Sequence, residues 1–299
     1  MRVFIFISAL LFSACQKDRV MLKLQPEMGN SYWQKASTIT TLNQNIQGQA
    51  IDIQTEYITD IRLIPQVIND EEIVMSAQFR DLRFNVESQF GRIRFDSRRP
   101  DTSDFAAIIF SRLNQTPFTV QFSPSGSVDA ITGMDDVMDN AYAAVNMSAQ
   151  QRAEVKRMLD DVYGPKAIKS HLEMSAAILP NKKVAVGDSW TVEAPYHANV
   201  KGLAEHTYTL KERRRESVSI QGKSTVKPDP NYRGANQYDV SGSITSYFNV
   251  DIATGWVRSG VVEISFQGTI TTKNPDGGTI DIPMTLNGKT EIRAEELAM

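Results

Sequence analysis

Cys15 is the chain's single cysteine and the residue best placed to do chemistry. It follows Leu11-Phe12-Ser13-Ala14, and the small residues at 13 and 14 suit a peptidase that accepts a narrow extended segment. A thiol at that point can carry diacylglycerol as a thioether. Upstream, Arg2 supplies a positive charge and Val3 to Phe12 form an apolar run too short to span a bilayer as a helix. The expectation is a lipoprotein signal peptide over residues 1–14, cleaved before Cys15, and a lipidated tether over 15–19. An ordinary signal peptide that happens to contain a cysteine is the alternative, and Phe12, where leucine is commonest, departs from the lipoprotein pattern. With no second cysteine, Cys15 cannot close an internal disulfide, and stability must come from packing. The two or three acyl chains of a processed lipoprotein hold a membrane stably, whereas one does so only marginally.

The other chemistry-bearing residues read as structural. Of the three histidines, His171 lies on a helix, His197 follows Tyr196 in a loop, and His206 begins a strand. His197 and His206 could meet across a hairpin, but no third ligand joins them, so no metal is expected. Asp135-Asp136 fall in the first turn of a helix, where negative charge suits the dipole, and Asp160-Asp161 on the polar face of another, so solvated helix faces explain both pairs better than acid/base work does. No serine lies in a nucleophile elbow, and Asp276-Gly277-Gly278 joins strands rather than opening a helix. The basic run Lys211-Glu212-Arg213-Arg214-Arg215-Glu216 is broken by acids and reads as a solvated strand end or turn. With a net charge of −3, this gives no case for nucleic acid. No cofactor and no catalytic group are expected, and the chain is read as a non-enzyme.

These residues need elements to hold them. From Val20 to Asp96 the pattern is mostly period two, rich in Thr, Ile, Val and aromatics, with Asn45-Ile46-Gln47-Gly48 as a hairpin turn between Thr38-Ile39-Thr40 and the run from Ala50 to Tyr57. The middle changes period. Ser103 or Asp104 caps a short helix with Phe105, Ile108, Ile109 and Leu113 on one face. A strand runs from Phe118 to Phe122, and helical spacing resumes at Met134. Ser148-Ala149-Gln150-Gln151 is a capping box, Gly164-Pro165 closes that helix, and the next runs from Pro165 to about Leu179. Strands return from Asp188 to the end. Strands, then helices, then strands exclude a doubly wound sheet and predict an α+β fold of mostly antiparallel, curved β-sheets with a central helical segment packed on them. The divisions are a β-rich half over 20–130, helices over 131–180 and a second β-rich half over 181–299.

The two strand regions echo each other. Met28-Gly29-Asn30-Ser31-Tyr32-Trp33 parallels Val186-Gly187-Asp188-Ser189-Trp190. Phe118 to Phe122 with Gly126 and Val128 parallels Phe248 to Ile252 with Gly255 and Val257. Two related half-domains would produce this, and so would strand-turn-strand grammar alone. Adaptable Met134, Met138, Met158 and Met174, with Trp190 and Trp256, are candidates to line an apolar ligand pocket between helices and sheet; the alternative is that they fill a dry core.

The stretch Phe122-Ser123-Pro124-Ser125-Gly126-Ser127-Val128-Asp129-Ala130-Ile131-Thr132-Gly133, with Phe95-Asp96-Ser97 and Pro100 before it and Leu179-Pro180 through Trp190 after it, resembles a family of Bacteroidota lipoproteins whose domain has no known function. The resemblance covers nearly all of the mature chain and implies a lineage, an export route and a β-rich architecture, but no reaction. In that lineage acidic residues after the lipidated cysteine can direct a lipoprotein to the cell surface. Gln16, Lys17 and Asp18 look like the start of such a signal, which Arg19 and Val20 do not continue. A periplasm-facing anchor in the outer membrane is therefore favoured over surface exposure. The function expected is non-catalytic binding or carriage of an apolar ligand such as a lipid. The alternative is a scaffold that docks an envelope protein or glycan, and a hydrolase comes third.

Overall fold

Regular alternation of apolar and polar residues gives very long strands, because each inward residue meets the same core while its neighbour faces water. The computed structural model describes residues 18–196, 200–234, 236–274 and 277–298, so Cys15, Gln16, Lys17 and His197 lie outside the described residues, as do the signal segment over 1–14 and part of the turn at Pro275-Asp276. The chain runs β1 (Arg19–Leu22), β2 (Asn30–Ile46), β3 (Gln49–Ile68), β4 (Ile73–Ser88), β5 (Gly91–Asp96), α1 (Phe105–Arg112), β6 (Phe118–Phe122), β7 (Val128–Thr132), α2 (Met134–Tyr142), α3 (Ala149–Tyr163) and α4 (Pro165–Ala176). It continues through β8 (Lys182–Ala185), β9 (Ser189–Tyr196), β10 (Gly202–Arg213), β11 (Ser217–Pro228), β12 (Gln237–Asp251), β13 (Val257–Lys273) and β14 (Thr279–Ala298).

The fold is β-rich α+β, and its strands pair antiparallel. One 12-stranded sheet has the order β7-β6-β4-β3-β2-β14-β13-β12-β11-β10-β9, with β5 on β4, while β1 and β8 form a separate pair. Both strand-rich regions thus enter a single sheet, joined where Asn30 to Gln44 pair with Met284 to Ala298. The expected turn after Ile46 forms with Gln47 at φ 53 and Gly48 at φ 88, the left-handed pair that a tight hairpin requires.

The sheet curls strongly. Leu24 N–H donates to Pro124 C=O and Gln25 N–H to Thr254 C=O, both at 2.7 Å. These carbonyls lie in the β6–β7 and β12–β13 turns, six strand spacings apart along the sheet, or about 29 Å at ~4.8 Å each. Two consecutive residues can reach both only if the sheet bends round to bring the turns together. A second closure comes from the other edge, where the Tyr196 ring on β9 meets Phe266 on β13 with centroids 5.3 Å apart. The end of the molecule strapped by residues 23–25 is the closed end.

The helices fill that end. Asp104 caps α1 by accepting from Ala106 N–H, the Ser148/Gln151 capping box opens α3, and Pro165 begins α4. Phe110 of α1 and Tyr163 of α3 pack with Phe79 and Phe95 of the sheet through ring contacts of 5.4 to 6.2 Å. Ser175 of α4 donates to Gln34 Oε1 on β2 at 3.0 Å, and Trp190 Nε1 donates to Ile178 C=O at 2.9 Å. No helix of the described residues is long and apolar enough to cross a membrane.

Candidate functional site: the open half of the trough

Alternation sets which side chains point inward, and burial shows where the interior ends. On β2, inward Ala36, Thr38 and Thr40 are buried, whereas Leu42, Gln44 and Ile46 are part-exposed. On β3, inward Thr59, Ile61 and Leu63 are buried, whereas Ile51, Ile53, Thr55 and Tyr57 are not fully so. The same change occurs on β14, where Ile280 and Ile282 are part-exposed before buried Met284 and Leu286. Beyond the helices the inner face of the sheet therefore continues as an apolar wall open to solvent.

Strand register makes this wall continuous. Ile53 stands opposite Leu42, and Leu42 opposite Leu286; one step farther out, Ile51 faces Gln44 and Gln44 faces Met284. On the β4 side Val86 pairs with Ile93 of β5, and on the β13 side Ile282 pairs with Ile270. At the inner limit stands a tyrosine group. Burial pushes the hydroxyls of Tyr57 on β3, Tyr163 on α3 and Tyr196 on β9 above the ordinary phenol range, and both Tyr163 and Tyr196 feel Tyr57 electrostatically. Tyr163 hydroxyl donates to Arg83 C=O at 3.3 Å. These phenols stay neutral and mark the boundary between filled and open halves.

Such a surface offers burial rather than reaction. Each methylene moved from water onto it gains up to ~0.8 kcal/mol, so a chain of about ten methylenes gains up to ~8 kcal/mol before ordering costs. Among the described residues no group of three metal-binding side chains gathers. His206 sits on the inner face of β10 with Nδ1 2.7 Å from Ser224 Oγ, and burial lowers its pKa.

The residues singled out from sequence are dispersed. Met134 and Met138 are buried in the packed core, and Met174 is partly buried against it. Met158 borders a shallow surface depression with Phe105 and Val155. Trp190 is fixed by its bond to Ile178, and Trp256 packs at a tilt against Tyr32, with ring centroids 4.9 Å apart, beside a depression that includes Asp251 and Arg258. Asp18 is exposed and pairs with Arg213 at 2.6 Å. Sequence reasoning passed over Leu42, Ile46, Ile51, Ile53, Ile280 and Ile282. Their only signal was unbroken alternation past the length that a helix-covered core needs.

Residues 70–257 match the model of a family of unknown function, DUF6263. The chain belongs to this family. No curated protein matches this DUF6263 chain. Among solved structures, lipovitellin is similar in fold at 9% identity, with 91% of this chain and 26% of that chain covered and a TM-score of 0.51. The DUF6263 chain thus spans about a quarter of that protein. An outer-membrane channel from Pseudomonas putida (7% identity, 91% of this chain and 97% of that one, TM-score 0.26) and a DUF1329 family protein from Desulfovibrio piger (10% identity, 90% and 84%, TM-score 0.17) are too distant in shape to bear on the fold.

Proposed function

We propose that this protein is a non-catalytic lipoprotein of the bacterial envelope, anchored through Cys15, that binds or carries an apolar ligand such as an acyl chain in the open half of its trough. One observation carries the reading: the inward row Leu42, Ile46, Ile51, Ile53, Ile280 and Ile282 continues the core face but is left part-exposed where the helices stop. Large contiguous apolar surfaces on soluble domains mark binding sites. Lipovitellin, similar in fold, was solved for its lipid–protein interactions, which supports the same reading.

The test uses a fluorescent fatty acid and native mass spectrometry of protein isolated from a bacterial envelope extract. The expected result is a co-purifying lipid mass and at least a tenfold weaker fatty-acid affinity in Ile53→Glu and Ile282→Glu, because a carboxylate in the wall must be desolvated. Ile39→Glu on the outer face is expected to bind as the parent does. Equal affinities for inner and outer variants, with no retained lipid, would sink the reading.

The proposal extends to ancestry. Gly29 (φ 84) and Gly187 (φ 92) each precede the first strand of a meander, and Gly126 (φ 84) and Gly255 (φ 69) each follow its fourth strand, with β5 set aside as a side hairpin. We read the meanders β2-β3-β4-β6-β7 and β9-β10-β11-β12-β13 as two copies of one unit.

A further inference from the structure

We propose that the β4–β5 hairpin is a lipid-surface contact, whose tip enters an anionic bilayer at the rim of the open half. Phe90 at the tip is 70% exposed and Ile93, one residue beyond Arg92, is 49% exposed. Leaving two large apolar side chains in water is costly unless something covers them. Chain mobility does not account for the exposure, because the tip is held. The Gln89 side chain donates to Ala50 C=O at 2.9 Å and accepts from Asp52 N–H at 3.3 Å, and Ser88 Oγ accepts from Phe90 N–H at 3.2 Å. Gln89 thereby extends the sheet ladder by one side-chain rung and fixes Phe90 beside the β2–β3 hairpin. Gly91, at φ 136, makes the reversal that lets β5 return along β4.

Charge selects the partner. Arg92 and Arg94 alternate with Ile93, so two guanidinium groups stand on the face opposite the apolar one. Arg92 pairs with Glu87 at 2.7 Å, but both side chains are more than half exposed and such a pair holds weakly. Arg94 has no ion-pair or hydrogen-bond partner among the described residues. An apolar tip flanked by arginines whose stems can lie along it is the arrangement that inserts shallowly and meets phosphate headgroups. A protein partner would need roughly 500 Å² or more of complementary surface on each side, which a two-residue tip does not offer. The inner side of the hairpin is continuous with the wall, since Ile93 pairs with Val86 and Ser88 with Ile53. The contact would place the membrane where an acyl chain enters. The inference rests on the proposed binding of apolar ligands.

The experiment places a reporter at the tip of the full chain. Phe90→Trp and, as a control on exposed α1, Phe105→Trp are mixed with vesicles of brominated phosphatidylglycerol or brominated phosphatidylcholine. The expected result is that the emission added by Phe90→Trp is quenched at least twofold more by the phosphatidylglycerol vesicles, that the emission added by Phe105→Trp is not, and that Arg92→Glu/Arg94→Glu in the Phe90→Trp chain abolishes the difference. Equal acrylamide access to the introduced tip indole with and without vesicles overturns the proposal, and so does equal quenching at both positions, which would signify adsorption through another part of the chain. Fatty-acid binding measured without vesicles reads the wall separately. A chain that binds the fatty acid but fails the vesicle test loses this inference alone.

Discussion

His171 stands on α4 with its Nε2 inaccessible to solvent and without a hydrogen-bond partner, although the residue as a whole is partly exposed. Burial pushes its pKa down from 6.5 to about 4. Between those values the unfolded chain binds a proton that the folded chain refuses, so this group's contribution is intact above about pH 6.5 and falls as pH drops toward 4. Urea titrations at pH 7 and pH 4.5 are expected to show His171→Leu recovering on the order of 1–3 kcal/mol of the acid-side loss. An unchanged pH slope would show that the imidazole is not buried in the folded state. The sequence placed His171 on a helix beside inward Leu172, which is correct. Its desolvation was not legible, because it depends on which surfaces α4 meets rather than on the helix itself.

At the scale of elements, the strap over residues 23–25 depends on a close approach. A Cβ on Gly255 would lie 2.0 Å from Lys23 C=O, and its φ of 69 is left-handed. Beside it, burial tends to raise the Asp251 carboxyl, but the N–H and hydroxyl of Thr254 and the guanidinium of Arg258 outweigh that and hold it below the usual carboxylate range. Gly255→Ala is expected to cost at least ~2 kcal/mol in denaturant unfolding, from backbone strain and displacement of the strap. Gly278→Ala, with nothing within 4 Å of the added Cβ and no positive φ, is expected to be nearly neutral. Equal costs would mean that the strap bears no load. Elements with local signals were legible: the Asp104 cap, the Ser148/Gln151 box and the Gly48 turn all form where residue chemistry placed them. The β1–β8 pairing was not, since Val20 meets Val184 across the whole intervening chain and four-residue strands carry no periodicity.

At the scale of the whole molecule, period two reveals that a strand has an inner face but not whether anything covers it. Ile51 and Ile53 alternate just as Ile61 and Leu63 do, yet only the second pair is buried. The trough was invisible for that reason; curved sheets were expected, but how far the sheet curls follows from which turns the strap joins. With no helix among the described residues fit to span a membrane, attachment as proposed rests on Cys15. Cys15→Ser is expected to abolish labelling by a fatty-acid probe and to move the protein into the soluble fraction. Fatty-acid labelling that persists in the mutant would rule out the anchor.

The position of the N-terminus then fixes a polarity. Asp18 meets Arg213 at the closed end, and β1 lies against β8 there, whereas the open rim lies at the far end of β2, β3 and β14. With Cys15 acylated as proposed, four residue steps separate the lipidated cysteine from Arg19, a reach of about 14 Å at most. The 20 residues of β3, at ~3.3 Å each, run about 65 Å. On the proposed anchor and tip contact, an upright molecule so moored cannot dip its rim into its own leaflet, so the two proposals together imply a second, facing bilayer and transfer of cargo in trans.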